Sequence, residues 1–600
     1  MTFGTQHFHW NWTLKSAPEA LWPLIADTNR FDRDSNRPAV EMLDTSAPRK
    51  NGQLQIRLYE YGVPLEYEQE PFEWVYPQFF SVTRRFISGP IADIRIRADL
   101  KAVEDGTELS YQVWITPKNI LGWMAIPVQI GLLSRRTFEQ AFLNLDRLAN
   151  EGRWAEASSK APRLSPAARA RLDARGQDLG AAGIDAANIS KLTALLLSGD
   201  ELVLSRLRPY ELADYWGMPR DEALHLFLQA VRVGLLEFRW DVLCPRCRVA
   251  KQSTQTLKDL KVGVHCDTCN IDYETHFSRS VELTFRPNPL IRAADLKEFC
   301  IGGPTATPHV LHQQLVGGSD ELNWEIELEP GRYRLRALDL PGGQYFRVQS
   351  GPAQLDLEIA TGSWNEYEPV LSSGAHLRVT NPFERRHLIL LERMSWSDLA
   401  LTAAEVTTRQ VFRDLFAEEA LRPGERISVG SLAVLFTDLT ASTQYYREAG
   451  DAVAFGQIMS HFDNVREIVD SRGGSVVKTM GDSVMAVFLD PEAALLSAQD
   501  IQREMSRQFS DGVLQVKASL SYGQCIGAML NGRLDYFGTT VNLASRLQEI
   551  SAAGQLVLTQ KVLDDPGVSL RRLDVKKAGT AARGFEDLTE PIWQLDLNPD

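Results

Sequence analysis

The chain has no apolar run long enough to cross a bilayer: its longest apolar stretch, Ile120 to Leu133, is too short and contains Pro127. It has no basic, apolar-cored start. Met1-Thr-Phe-Gly-Thr-Gln-His does not read as a secretory leader, so a soluble, cytoplasmic protein is expected. Positive charge is short too. Lys and Arg number 64 against 78 Asp and Glu, and the net −14 argues against a general nucleic-acid or anionic-membrane binder. No internal repeat or low-complexity tract is evident beyond an Ala/Arg-rich piece near 156–176, read as linker or helix. Cysteine is scarce, six in all. What remains is ordinary globular composition, 44% hydrophobic and 24% charged. Six hundred residues exceed one core and call for roughly four domains.

Three stretches near the C-terminus concentrate chemistry. Leu432-Ala-Val-Leu-Phe-Thr-Asp438 is a continuous apolar strand ending at a carboxylate, and the carboxyl ends of such strands are where ligands sit. The small polar residues after it, Leu439 to Thr443, lead into a helix whose first N–H groups can hold phosphate oxygens, which makes Thr440, Ser442 and Thr443 substrate-binding candidates. Phe455, Ile458, Met459, Phe462, Val465 and Val469 share one face of the helix that follows, and Gly473-Gly474 stops it. Val476-Val-Lys478-Thr-Met-Gly-Asp482-Ser-Val-Met-Ala-Val-Phe488 reads as a hairpin with Asp482 at its tip. If the strand ending at Asp438 pairs beside it, two carboxylates converge, and they repel unless a cation lies between them. In the third stretch, Asp535-Tyr-Phe-Gly538-Thr-Thr-Val-Asn542-Leu-Ala-Ser-Arg546, Asn542 and Arg546 are four apart on one helix face.

These motifs, in this order and spacing, resemble the active site of a class III nucleotidyl cyclase over residues 431–600. The resemblance implies a ferredoxin-like α/β catalytic domain that makes a cyclic nucleotide and pyrophosphate from a nucleoside triphosphate. It implies that Asp438, Asp482 and the Leu439 carbonyl hold two Mg²⁺ (or Mn²⁺) ions per active site. Mg²⁺ takes few protein carboxylates and shares its remaining positions with substrate phosphates. Asn542 would orient the ribose and Arg546 would stabilise charge on the α-phosphate, a task suited to a permanent, planar charge. Lysine only donates and ionised aspartate only accepts, so Lys478 with Asp535 fits the N1 acceptor and C6 amine of adenine, and ATP is the expected substrate. Arg583 stands where a lysine usually grips the terminal phosphates, with Lys576 and Lys577 as competitors. Ala441 replaces a glycine common in the phosphate loop, and Ser521-Tyr522-Gly523 is unusual for its strand. In the family each site is shared between two protomers, so a homodimer is implied. A guanylate cyclase, or a cyclase-like dimerising scaffold without activity, are the alternatives.

The overall expectation is a multidomain α+β chain. Residues 1–150 resemble a START-like helix-grip domain: an alternating strand Phe8 to Leu14, a short helix after Pro18, several strands, and a closing helix from about Pro127 to Asn150. Trp74, Tyr76, Phe79, Phe80 and Trp114 are expected to line a cavity for an apolar small ligand, or simply to fill the core. Residues 165–240 read as helical, with two helices around Gly217 in a winged-helix-like pattern. Asp221 and Glu222 at the start of the second helix argue against DNA, and no nucleic acid partner is expected. Cys244-Pro-Arg-Cys247 and Cys266-Asp-Thr-Cys269 in 241–280 form the spacing of a zinc ribbon with a closed, structural Zn²⁺ site. His265 is not expected to be a ligand. Residues 281–400 read as a β-sandwich. Residues 200–310 resemble a module of unknown function that precedes bacterial cyclase domains. In 401–430 a linking helix, Thr402 to Leu421, carries the stripe Val406, Val411, Phe412, Leu415 and Phe416, which would pair with its twin across a dimer or pack within the chain.

Overall fold

The computed structural model describes residues 3–43, 52–60, 62–157, 163–261, 263–266, 271–278, 280–294, 297–364, 367–395, 398–416, 427–509, 514–530, 533–569, 575–579 and 591–597. Alternation in the first strand, β1 (Gln6–Leu14), turns Phe8, Trp10, Trp12 and Leu14 inward. Helices α1 (Pro18–Ile25) and α2 (Thr28–Asp34) follow, α1 starting on a proline and α2 capped by Asp27, which accepts from the Arg30 N–H. Strands β2 (Val40–Met42), β3 (Leu54–Glu60), β4 (Val63–Gln69), β5 (Glu73–Val75), β6 (Phe79–Phe86), β7 (Ile91–Val103) and β8 (Gly106–Pro117) build an antiparallel sheet in the order β1-β8-β7-β6, continued through β4 to β3 and β2. Against it lies a helical run: α3 (Ile120–Ile126), a π-helical stretch (Pro127–Ser134) and α4 (Arg135–Asn150). The π-helical stretch begins at Pro127, which has no N–H to donate. Phe138 and Phe142 of α4 are buried with Phe31 and Tyr111. A cavity of about 170 Å³ remains between sheet and helix, lined by Asp32, Arg84, Tyr111, Ile94, Ile126 and Ile130 among others. None of the five aromatic residues expected there lines it. Trp74 and Phe80 fill the core, and Trp114 stacks on His7 on the outer face.

Helices α5 (Pro166–Ala181), α6 (Ala186–Ser198), α7 (Glu201–Ser205), α8 (Pro209–Trp216) and α9 (Arg220–Arg232) come next. Gly217 ends α8 at a φ of 62°, the left-handed turn that glycine permits. Strands β9 (Leu236–Leu243), β10 (Ala250–Thr254), β11 (Gly263–Cys266), β12 (Ile271–Glu274) and β13 (Val281–Pro287) make a three-stranded sheet, β10-β9-β13, and a separate β11-β12 hairpin. β13, placed in the β-sandwich by its sequence position, thus pairs with β9 instead. Asp221 at the start of α9 faces Arg409 at 3.1 Å, so that end of the helix is engaged inside the chain.

The sandwich uses β14 (Val310–Val316), β15 (Glu321–Glu327), β16 (Gly331–Ala337), β17 (Gly342–Val348), β18 (Gln354–Glu358), β19 (Gly362–Ser363), β20 (Val370–Leu371), β21 (Gly374–Thr380) and β22 (His387–Arg393). One sheet is β15-β21-β18; the other is β14-β22-β16-β17, with β19 and β20 on β17. β14 also pairs with β5, so this second sheet and the N-terminal one are hydrogen-bonded into a single sheet. The Trp74 indole N–H donates to the Val310 carbonyl at 3.0 Å across that seam.

The expected linking helix is two short ones, α10 (Ala403–Thr407) and α11 (Gln410–Leu415). Residues 417–421 lie outside the described residues. Phe412 and Phe416 pack on Phe238, and Phe412 also on Trp240, so the stripe is covered within the chain rather than left for a twin.

The C-terminal domain contains β23 (Ile427–Thr440), α12 (Ser442–Ala449), α13 (Asp451–Ser471), β24 (Ser475–Met480), β25 (Ser483–Phe488), α14 (Pro491–Gln508), β26 (Gln515–Leu530), β27 (Arg533–Phe537), α15 (Thr539–Ile550), β28 (Gln555–Thr559), α16 (Gln560–Leu563), β29 (Val575–Gly579) and β30 (Ile592–Asp596). The order β24-β25-β23-β26 is the antiparallel βαββαβ arrangement, extended by β28 parallel to β26 and then β30 and β29. β23 is buried on both faces. Ala433 and Leu435 pack toward α13 and α14, while Leu432, Val434 and Phe436 join one core with α9, β9, α10 and α11. The expected α13 stripe is split: Ile458, Val465 and Val469 are buried, whereas Phe455 and Met459 are exposed.

The N-terminal unit and the helical module meet at Asp200. Arg33 holds it with two hydrogen bonds of 3.0 and 2.5 Å, and Arg30 stands 3.5 Å away, with Asp200 fully buried. Burial alone would raise the Asp200 carboxyl, but the two guanidiniums hold it below the ordinary range. Asp200→Ala removes the buried anion both guanidiniums face, leaving Arg33 with Asp34 and Arg30 with the Trp154 and Glu156 carbonyls, and should cost about 3 kcal/mol in denaturant unfolding. Because the folded pKa is depressed, the pair's contribution is complete above the unfolded value of about 3.9 and is lost as pH falls through the folded one. A wild-type advantage that vanishes only in strong acid is the expected profile.

Candidate active site

β23 delivers Asp438 opposite Lys517 on β26, and the two side chains pair at 2.8 Å. Ser483, first residue of β25, donates its hydroxyl to the other Asp438 oxygen. Asp482 is its immediate neighbour in the two-residue loop between β24 and β25, where Gly481 takes a φ of 67°. The two aspartates expected to converge thus sit at adjoining ends of paired strands. Asp438 and Asp482, with the neighbouring Leu439 carbonyl, are hard oxygen donors. The ammonium already drawn to Asp438 shows that the spot attracts a cation. This donor set fits Mg²⁺ or Mn²⁺.

Lys517 was missed by sequence reasoning. It is a lone cation inside an apolar strand, and only the β23–β26 register shows what it answers.

The phosphate-loop candidates sit where β23 turns into α12. Thr440 donates its hydroxyl to the Gln515 carbonyl at 3.1 Å, and Ser442 and Thr443 open the helix. Ala441 has φ 60° and ψ 17°, the left-handed region. That conformation explains why a glycine would be at home there, and it costs an L-residue about 1–2 kcal/mol. Ala441→Gly should therefore leave the fold unchanged or stabilise it by up to about 1 kcal/mol in thermal unfolding, once the greater freedom of glycine in the unfolded chain is deducted.

Lys478 on β24 and Asp535 on β27 meet directly, Nζ to Oδ2 at 2.7 Å. Asp535 is buried, and its other oxygen accepts from the Tyr536 N–H at 2.8 Å, which fixes the carboxylate. A polar cavity of about 330 Å³ opens beside Lys478, bounded by Thr479, Arg533 and Leu534 and by Gln410, Arg413 and Phe416 of the linking segment. Asn542 and Arg546 project from α15 into solvent, Arg546 pairing with Glu549 at 2.6 Å.

Along β26, Asp438 lies beside Lys517 and Asp535 beside Ala528, eleven residues on. Arg583 lies outside the described residues, while its competitors Lys576 and Lys577 are exposed on β29.

Cys244, Cys247 and Cys266 bring their sulfurs within 4.8 Å of one another, all buried; Cys269 lies outside the described residues. The Cys247–Cys266 separation is 3.7 Å. A disulfide needs about 2.05 Å, whereas tetrahedral Zn²⁺ with bonds of about 2.3 Å sets sulfurs about 3.8 Å apart. The three thiols therefore fit zinc. His265 faces Asp272 at 2.9 Å instead. Burial pushes the Cys300 and Cys525 thiols up to about 11, which disfavours their thiolate forms. Protein purified without chelator should carry close to one Zn²⁺ per chain by elemental analysis, and Cys244→Ser should lose most of it.

Residues 425–574 match the family described as Adenylate and Guanylate cyclase catalytic domain, and residues 178–301 match a family of unknown function, DUF5939. An uncharacterised protein of Mycobacterium tuberculosis is 35% identical over 130 residues, 22% of this chain and 32% of that protein. An adenylate cyclase of Glutamicibacter nicotianae is 29% identical over 162 residues, 26% of this chain and 37% of that enzyme. The solved adenylyl cyclase CyaB from P. aeruginosa is 23% identical, covering 28% of this chain and 95% of that one with a TM-score of 0.26. The matches span about a third of the length of these two curated relatives. The C-terminal domain belongs to the class III adenylate and guanylate cyclase family.

Proposed function

We propose that this protein is an adenylate cyclase, converting ATP to 3′,5′-cyclic AMP and pyrophosphate at sites shared by two copies of the chain. The observation that carries the choice of base is the Lys478–Asp535 pair. Asp535 is buried and fixed by a backbone N–H, so it offers an acceptor to the C6 amine, and the lysine beside it offers a donor to N1. Guanine presents the opposite pattern at these two positions.

In this reading the ribose 3′-oxygen attacks the α-phosphorus while the bond to the β-phosphate breaks and pyrophosphate departs. Asp438, Asp482 and the Leu439 carbonyl would hold divalent ions, which would supply activation of the hydroxyl and offset charge on the leaving group. Lys517, paired with Asp438 at 2.8 Å, adds a cation beside that site. Thr440, Ser442 and Thr443 line the phosphate path at the start of α12. Asn542 and Arg546 come from the partner copy, which places the ribose and offsets charge on the α-phosphate. Arg583 is the candidate for the terminal phosphates. Homodimerisation is supported by the solvent exposure of Asn542 and Arg546 on α15 and by exposed apolar side chains on this domain, among them Phe455, Met480, Ile526 and Phe537.

Cys244, Cys247, Cys266 and Cys269 form a structural zinc site in the same reading, and the N-terminal unit is a START-like domain whose cavity takes an apolar small molecule. Regulation has a direct route. The Arg413 guanidinium donates to the Leu534 carbonyl at 2.7 Å, next to Asp535, and the Val476 N–H donates to Gln410 at 2.9 Å on the strand bearing Lys478. Any shift of the linking segment therefore reaches both base-reading residues.

Purified chain incubated with ATP or GTP and Mg²⁺ or Mn²⁺ should yield cyclic AMP in preference to cyclic GMP. Asp438→Ala and Asp482→Ala should abolish it. Mixing Asp438→Ala with Arg546→Ala, each inactive alone, should recover about a quarter of wild-type activity, since half the dimers are mixed and each regains one of two sites. Cyclic GMP as main product would overturn the base assignment, and no recovery on mixing would overturn the shared site.

A further inference from the structure

The apolar run from Ile120 to Leu133, too short to span a bilayer, is not buried either. Gly122, Ile126, Ile130 and Ser134 point inward at four-residue intervals, and Ile126 and Ile130 form one wall of the N-terminal cavity. The opposite face is open. Ile120, Met124, Val128 and Leu132, again four apart, are each more than half exposed. Leu121 at 71% and Leu133 at 62% widen the stripe, and Trp123 sits beside it half exposed. Single exposed leucines are ordinary on a protein surface; a contiguous strip of this kind marks a contact site.

Two neighbouring turns add to the strip. The Lys118 ammonium donates to the Ile87 carbonyl at 3.0 Å, which brings exposed Ile87 to its beginning. Gln129 donates to Glu60 at 3.3 Å, which brings exposed Tyr59 and Val63 of the β3–β4 turn to its middle. Glu60 reaches the helix there, and Gln129 engages it.

Charge decides the occupant. Between Lys118 and Phe138 there is no Asp or Glu, while Lys118, Arg135 and Arg136 flank the strip, in a chain whose net charge is −14. All three cations are exposed. A second copy packed across a two-fold axis would set these cations against themselves with no carboxylate in the segment to answer them. An apolar helical face with a tryptophan at its margin and basic residues at both ends is instead suited to lie in the interface of a membrane carrying anionic lipid. We propose that residues 118–136 seat this protein peripherally on such a membrane, with α3 and the π-helical stretch in the plane of the headgroups. The whole-chain charge conceals this because the basic residues are local to one edge of the N-terminal unit.

The experiment is vesicle flotation of the full-length protein with phosphatidylcholine vesicles and with phosphatidylcholine vesicles containing phosphatidylglycerol. The protein should float with the anionic vesicles and be released by high salt. Arg135→Ala and Arg136→Ala should each weaken binding about fivefold, from about 1 kcal/mol per basic residue at an anionic surface. Leu121→Ser with Leu132→Ser should abolish flotation. Both positions face solvent, so unchanged circular dichroism is expected and separates lost binding from lost fold. Wild-type protein that stays down with both vesicle types would overturn the proposal, as would Leu121→Ser/Leu132→Ser protein that floats as well as wild type. A Leu121- and Leu132-dependent self-association in size-exclusion chromatography, with no flotation, would reassign the face to protein contact and also overturn it.

Discussion

β26 borders nearly everything the candidate site uses. Its first residues lie against the end of β23, where Lys517 meets Asp438; Ala518 to Leu520 run parallel to β28; its last residues pair with β27, which carries Asp535. One hydrogen-bonded strand therefore carries both Lys517, the neighbour of Asp438, and the pairing that positions Asp535, while the segment entering the domain touches the half of the site beside β24 and β27.

That segment does so through an unbroken series of contacts. The Tyr210 hydroxyl of α8 donates to Glu405 at 2.6 Å, Arg409 spans Glu405 and Asp221 of α9, and Arg413 reaches the backbone next to Asp535. The apolar side chains of α10 and α11 belong to the same core as β9 and β23. The helical module and the catalytic sheet are thus two sides of one packed interior.

What could be read from the sequence was local chemistry. Asp438 at a strand end, Gly481 before Asp482, the four-residue spacing of Asn542 and Arg546 and the two C-x₂-C pairs each depend on a few neighbouring residues, and in the structure each sits in the expected type of element, Cys269 excepted as outside the described residues. What escaped was pairing over long sequence separations. Lys517 has meaning only in register with Asp438. The pairing of β5 with β14 joins residues more than two hundred positions apart, and nothing in Glu73–Val75 announces it. The linking helix was overextended because an apolar stripe carries no mark of the break at Thr408 and Arg409. The α13 residues that share one face by their spacing differ in burial, Phe455 and Met459 staying exposed in the single chain.

The pairing of β5 with β14 has a mechanical consequence. A hydrogen-bonded seam resists bending across it, so the cavity-bearing unit and the sandwich cannot swing as beads on a string. A change in the curvature of one part is therefore shared with the other through the paired backbones of β5 and β14.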